Sequence, residues 1–343
     1  MGDIAAQQVV APALHPAAMT VPLTERVMAR LPGPRWLWVI LWANWLLIIL
    51  AVLRYRFPAL LSVLFAEGET TLTFGFLISY TMLGALWAVG KLGRDVVALG
   101  PTVVRLTQGR LADGGPFRAV GSAWGPLALM AIVTIAYGGV GFLKAPSLAS
   151  ALLVLAGFIG WLPLLTFGWV AGAVLLGLHR LGGTPLKLAA FEVDRSLGLR
   201  PFGSLAFTPL LVSGALVIPI LFLTGLRDLR DAIVTLSMLL VIVVLLFASL
   251  RRLRSQLLAA KASHLAWARS LFQHALDPIR TGDGVAGLRN GALELVAAEA
   301  IERRAATIQE WPFDEGILRG IIAIVTSVTT AIVVRLVLSR LGL

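Results

Sequence analysis

The stretch IVTLSMLLVIVVLLFASL, Ile233 to Leu250, is an apolar run that passes without Gly or Pro into the basic sequence RRLR at 251–254. The run is about long enough to cross a bilayer as a helix. Nothing in the sequence stops the helix at its basic end, so we predict one continuous helix of about 45 residues, roughly 65 Å long. Its predicted end is Asp277, because a residue that precedes proline disfavours the helical conformation.

Beyond the arginines, apolar residues recur at alternating spacings of three and four, which is typical of one seam of a coiled coil. A second helical pattern over residues 288–308 runs back, and Gly316 to Leu338 then re-enters the membrane. We therefore predict a cytosolic helical hairpin over residues 251–315 that anchors an oligomer. The oligomer-seam candidates are Leu250, Leu253, Leu257, His264, Trp267 and Leu271.

The composition is that of a polytopic membrane protein. Of 343 residues, 58% are hydrophobic and 14% are charged, and the mean hydropathy is +0.88, whereas globular domains carry about 25% charged residues. The net charge of +11 comes from basic residues that flank apolar runs, which indicates anchoring to an anionic inner leaflet and not nucleic-acid binding. The chain has no cysteine, which excludes disulfides, thiolate metal sites and cysteine nucleophiles.

The predicted fold class is all-α, with seven transmembrane helices. Arginine and lysine concentrate in alternate connections, so the positive-inside rule places the N-terminus in the cytosol and the C-terminus outside. The predicted organisation is a cytosolic tail over 1–35, helices one to six over 36–250, the hairpin over 251–315, and the seventh helix with the C-terminus over 316–343. We expect a multi-pass protein of the plasma (inner) membrane. The predicted spans are Trp36–Leu53, Leu72–Gly90, Leu127–Leu143, Ala151–Leu178, Leu205–Leu223, Ile233–Leu250 and Gly316–Leu338.

Catalytic patterns are missing from the sequence. No Asp or Glu lies inside a predicted span, which argues against proton relays and cation-coupled transport, since those classes usually need a carboxylate in the membrane. No Gly-rich phosphate loop, Ser/His/Asp set or metalloprotease helix is present. We predict no enzyme, no cofactor and no metal site.

The last predicted span is polar at its middle. Thr326 and Thr330 share a helix face with Val333 and Val337, and Ser327 lies beside them. A hydroxyl stripe next to an apolar pair could line an aqueous path with a hydrophobic constriction. The alternative is a helix packed centrally through small residues. These five residues are the pore-lining candidates.

Aromatic side chains in the first three spans supply candidates for a small-molecule pocket. Trp42 and Trp45 lie deeper than interfacial anchoring explains, and Tyr80 and Tyr137 lie in spans two and three. Packing within the bundle is the alternative for each of them.

Seven spans, an extended cytosolic helical section before the last span, and hydroxyls in that span together resemble the insect gustatory and odorant receptor type of channel and its prokaryotic relatives. The resemblance lies in the topology, since Ser327 to Arg335 (SVTTAIVVR) lacks the Tyr and Gln of the gustatory receptors' last-span motif. It implies four subunits that assemble through the cytosolic helices, with the last span of each lining a cation pore.

The first functional hypothesis is an oligomeric, tetrameric channel or channel-like chemoreceptor whose partners are the lipid bilayer, further copies of itself and a small-molecule ligand. The alternatives are an uncoupled small-molecule or lipid exporter with its pocket among spans one to five, and a membrane scaffold whose hairpin docks a cytosolic protein.

Overall fold

A computed structural model describes residues 21–56, 68–109, 115–139, 154, 157–188, 196–224, 229–281 and 284–340. Within these residues the chain is helical, without a strand, which confirms the all-α prediction. Most of the predicted cytosolic tail, residues 1–20, and the connection at 140–153 lie outside the described residues. The helices are α1 (Leu23–Arg30), α2 (Arg35–Ala43), α3 (Trp45–Arg56), α4 (Gly68–Thr107), α5 (Trp124–Val133), α6 (Leu162–Leu181), α7 (Arg200–Thr224), α8 (Leu229–Thr281), α9 (Gly284–Ala306) and α10 (Glu315–Arg340).

Four of the described helices are long and apolar enough to cross a membrane. The segments are Gly75–Thr107, Leu162–Leu181, Arg200–Val217 and Glu315–Val334. They overlap the second, fourth, fifth and seventh predicted spans. The chain is therefore a helical protein with several membrane-crossing candidates, whereas seven spans and their direction stay a prediction.

The first predicted span is broken into two helices at Asn44. Its side-chain amide donates to the Ile40 carbonyl at 2.8 Å, and its backbone leaves the helical conformation. This competition between an Asn side chain and the backbone is what disfavours Asn inside helices. The predicted span from Trp36 to Leu53 thus consists of two consecutive helices, α2 and α3.

The second predicted span continues far beyond its expected end. Helix α4 runs for 40 residues and contains Pro101, although a loop was expected after Gly90. Lys91 pairs with Asp95 four residues later, an arrangement that supports a helix. The basic segment after Gly90, predicted as a cytosolic connection between spans, is thus a helical extension of α4.

Helix α8 runs without interruption for 53 residues, as the continuous apolar-to-basic pattern predicts. Its expected stop at Asp277 was wrong, because the helix ends at Thr281. Pro278 therefore lies in the last turn of the helix. A proline lacks the backbone N–H and its ring conflicts sterically with the preceding turn, but at this position both effects are confined to the end of the helix.

The core is formed where α4, α6, α7 and α8 meet. Its completely buried side chains include Leu92 of α4, Val174 of α6, Leu210 of α7 and Leu250 of α8. Helix α9 packs along α8, and α10 packs on α7. Helices α8 and α9 are consecutive and separated by two residues, so they run antiparallel as a hairpin.

Candidate functional site

Helix α10 turns its hydroxyl-bearing face away from the rest of the chain. Thr326, Ser327 and Thr330 are exposed, and Val333 and Val337 are each 53% exposed. All five pore-lining candidates therefore lie on the outward side of the helix. Thr329 is exposed as well, so the polar surface is one residue wider than predicted.

The opposite face of α10 is apolar and buried. Ile321, Val328 and Ile332 are between 0% and 5% exposed. Contact with α7 is close, since a side chain at Gly214 would begin 2.5 Å from Ile324 Cγ2. Among the described residues, contacts within the chain are made by the apolar face of α10 and not by its hydroxyls.

The hydroxyls of α10 differ from those of the neighbouring helices. Ser79, Thr81 and Thr208 donate to carbonyls one turn earlier in their own helices, at 2.9, 2.9 and 3.2 Å. Among the described residues, no hydrogen-bond partner is found for the four hydroxyls between residues 326 and 330.

Residues 307–314, here called the latch segment, join α9 to α10. Trp311 stacks on Phe313 with ring centroids 5.5 Å apart and meets Phe247 of α8 edge-on at 5.1 Å. The guanidinium of Arg254 lies 4.6 Å from the centre of the Trp311 ring, a cation–π arrangement. The latch segment is therefore fixed to α8 at the basic end of the apolar run, through Phe247 inside the run and Arg254 beyond it.

The end of the latch segment caps α10 and binds α7. Asp314 accepts a hydrogen bond from the Ile317 backbone N–H at 3.0 Å and one from the Arg200 guanidinium at 2.7 Å. The Ile317 bond, with the Arg200 bond and charge, holds the pKa of Asp314 below its ordinary value of 3.8 against the opposing effect of burial. The approach to α7 is equally close, because any side chain at Gly203 would overlap the Pro312 carbonyl.

Sequence reasoning missed the latch segment as a site, because it predicted only the helical pattern over residues 288–308 before it and the span from Gly316 after it. An Asp directly before the last apolar run is an N-cap signal that could have placed one end of it. Its partners Arg200 and Arg254 could not be read from the sequence, because Arg200 and Asp314 are 114 residues apart.

The predicted oligomer seam is mostly enclosed within the chain. Leu250, Leu253 and Leu257 have no exposed surface and belong to the same core as Ala305 and Ile308 of the returning chain. His264 and Leu271 are half-buried, and Trp267 is 48% exposed. A partner subunit could reach the three leucines only if the hairpin opened, because α9 and α6 already cover this face of α8.

Three of the four ligand-pocket candidates, Trp42, Trp45 and Tyr80, have side chains in the described part of the structure. Trp42 donates to the Ile159 carbonyl at 3.0 Å, and Trp45 packs so closely on Gly160 that a side chain there would overlap it. Tyr80 is 47% exposed and donates to the Ala215 carbonyl at 3.4 Å. The Tyr137 side chain lies outside the described part of the structure.

A cavity of about 410 Å³ lies elsewhere, between α6 and the chain that precedes α5. It is here called the arginine cleft. Sequence reasoning missed it, since its two arginines are 62 positions apart and each reads as an ordinary loop cation. The described residues that line it are Arg118, Ala119, Gly121, Ser122, Trp169 and Arg180.

In the described part of the chain, no group of three or more His, Asp or Glu side chains could hold a metal ion. Comparisons of the chain with protein-family models, with curated proteins and with solved structures gave no match. The resemblance to gustatory and odorant receptors therefore stays an expectation drawn from topology.

Proposed function

We propose that the chain is a subunit of an oligomeric membrane channel in which α10 of each copy lines a shared path. The observation that carries the proposal is the outward hydroxyl face of α10, for which the described residues of its own chain supply no partner. A polar group exposed to hydrocarbon without a hydrogen bond is unfavourable. This cost is removed when the hydroxyls face water or the same face of another copy.

The arrangement of α10 suits a gated path. Thr326 and Thr330 present hydroxyls, and Val333 and Val337 continue the same face without polar atoms. A ring of valines contributed by several copies would form an apolar constriction, which can exclude water when narrow and conduct when widened.

The latch segment offers a way to move α10. Because it is packed against α8 through Trp311 and bound to α7 through Asp314, a shift of the α8–α9 hairpin would be passed to the start of α10. A ligand or partner that binds the hairpin could change the constriction by this route.

Thiol labelling tests the aqueous path, and the chain is suited to it because it contains no cysteine. Thr326→Cys and Thr330→Cys, each purified and reconstituted in liposomes, should react with a charged methanethiosulfonate reagent. Labelled Thr330→Cys should then show at least a tenfold slower efflux of K⁺ or Na⁺ than the unlabelled variant, because a bulky charge would lie in the path.

Two control variants distinguish a cysteine exposed to water from a cysteine exposed to lipid. Val244→Cys lies on an apolar face of α8, at a side chain that is 56% exposed. Val328→Cys lies at a completely buried side chain on the far side of α10. Both should react slowly. If the threonine variants reacted no faster than Val244→Cys, the face would be covered by lipid or protein, and the channel proposal would fail.

The scaffold hypothesis is the second candidate, and a specific observation favours it. Trp267 and Phe272 on α8 and Val296 on α9 are 48%, 37% and 66% exposed, on the part of the hairpin beyond the basic sequence at 251–254. A protein partner could cover these side chains. This role would be supported by a hairpin-dependent partner together with unreactive cysteines on α10.

A further inference from the structure

The arginine cleft contains two guanidiniums for which the described part of the chain supplies no anionic partner. Arg118 and Arg180 are both exposed, and among the described residues neither side chain makes an ion pair or a hydrogen bond. Among the described residues that line the cleft there is no Asp or Glu. Two arginines that face one cavity without a carboxylate from this part of the chain create a positive potential there.

A third arginine strengthens this potential. Arg26 of α1 donates from Nη2 to the Gly121 carbonyl at 2.7 Å, and Gly121 lines the cleft. The Nε atom of Arg26 is buried and has no hydrogen-bond partner. Its charge therefore lies directly behind the wall of the cleft.

The walls are held in place by specific contacts. Trp169 of α6 donates from Nε1 to the Ala119 carbonyl at 2.8 Å, and Ser122 accepts from the Gly125 backbone N–H at 3.4 Å. Side chains at Gly125 would overlap the Trp169 ring. The cleft is thus formed before any ligand arrives, which lowers the entropic cost of binding.

We propose that the arginine cleft binds a phosphate group, carried by an anionic lipid or free in solution. The planar, forked donors of arginine match phosphate oxygens and form strong charge-assisted hydrogen bonds with them. Arg118 and Arg180 hold the phosphate, and Ser122 offers a hydroxyl at the same cavity. The inference does not depend on the channel proposal, since none of these residues is in α10 or the latch segment.

An open groove along α6 favours an anionic lipid as the source of the phosphate group. Gly168, Gly172 and Leu176 precede Arg180 at intervals of four residues, so they share its side of the helix. All three are exposed, and a side chain added at either glycine would meet nothing within 4 Å. An acyl chain can lie on this surface while its headgroup reaches Arg180. Trp124, 82% exposed nearby in the chain, is an aromatic of the type found at the membrane interface.

Binding can be measured on the full chain, purified and delipidated in a neutral detergent. The probes are phosphatidylglycerol and, separately, inorganic phosphate, titrated by native mass spectrometry and by the rise in thermal midpoint. Arg118→Gln and Arg180→Gln should each weaken binding about tenfold, since a charge-assisted hydrogen bond contributes enough free energy for one order of magnitude in affinity. Arg105→Gln is the matched control, because it removes one exposed positive charge that does not line the cleft.

Gly172→Leu distinguishes the two sources, since it fills the groove without touching the cleft. If phosphatidylglycerol binding falls in Gly172→Leu while phosphate binding is unchanged, the site takes a lipid. If inorganic phosphate binds through both arginines and Gly172→Leu changes neither ligand, the site takes the free anion. The proposal is overturned if Arg105→Gln weakens binding as much as the cleft variants, or if neither probe depends on Arg118 and Arg180.

Discussion

At the scale of single residues, the contacts around Asp314 explain how α10 is held. Its carboxylate caps the helix through Ile317 and binds Arg200 of α7. Gly203, in the first turn of α7, lets the Pro312 carbonyl approach the helix at a place where any side chain would overlap it. One glycine and one carboxylate thus fix the start of α10 against α7, and this fixed start determines which face of α10 points outward.

The Asp314 contacts should make the stability of the protein depend on acid. Because the folded-state pKa lies below the ordinary value, the carboxylate stabilises the fold fully above about pH 4, and this contribution is lost as the pH falls further through the lowered folded-state pKa. Asp314→Ala should lower the free energy of unfolding by about 1 kcal/mol at neutral pH, the usual effect of losing an N-cap.

Thermal unfolding in detergent between pH 3 and pH 7 measures both effects. Asp314→Asn keeps an oxygen acceptor but has no charge, so its thermal midpoint should fall less on acidification than that of the wild type. Glu299→Gln, which removes an exposed carboxylate paired with Arg303, is the control and should follow the wild type. Equal acid sensitivity in Asp314→Asn and the wild type would contradict the assignment.

At the scale of elements, α8 connects the apolar core to the hairpin. Its buried face is shared by α6, α7 and α9 in turn. The turn after α6 is held to it, because Gln256 donates to the Gly182 and Thr184 carbonyls at 2.7 and 2.6 Å. The helix therefore belongs both to the core of the monomer and to the hairpin, and it is not an unpacked helix that projects from the core.

Leu257 and its neighbour Leu258 test this role of α8. Leu257 has no exposed surface, whereas Leu258 is 36% exposed. Leu257→Ala should cost about 2–5 kcal/mol, the usual range for a buried leucine, and Leu258→Ala should cost less than about 1 kcal/mol. Thermal midpoints in detergent, with size-exclusion mass, measure the difference. A Leu257→Ala variant that lost its oligomeric mass but kept its thermal midpoint would instead place Leu257 in a subunit interface.

At the scale of the whole molecule, the hydroxyl face of α10 points outward from the described helices, which enclose no path along it. A channel of this architecture requires copies whose α10 helices converge. The exposed polar face on an otherwise apolar helix is the feature of the molecule that a second copy would complete.

Cross-linking tests whether copies converge on α10. In membranes treated with a mild oxidant, Thr330→Cys should give a disulfide-linked dimer as the main species on a non-reducing gel, since equivalent positions near a symmetry axis lie close together. Val244→Cys, on the apolar exposed face of α8, is the control and should stay monomeric. A monomer for Thr330→Cys together with a dimer for Val244→Cys would place the interface on α8.

Sequence reasoning predicted α10 to within two residues at each end, and the continuity of α8 through its arginines, because both follow from local composition and the absence of breakers. It missed the helical extension of α4 beyond Gly90 and the last turn of α8 beyond Asp277. In both places a Gly or Pro residue indicates the end of a helix, but the other residues of the helix outweigh this signal.

The sequence by itself determined that the chain is helical, that several helices are apolar enough to cross a membrane, and where the unusual hydroxyls lie. Only the tertiary structure decided which faces are buried, that the leucine seam is internal, and that Arg118 and Arg180 line one cleft. The physical reason is that a membrane helix is apolar towards lipid and towards protein alike, so hydropathy does not distinguish its two faces. Contacts between residues far apart in the chain distinguish the two faces.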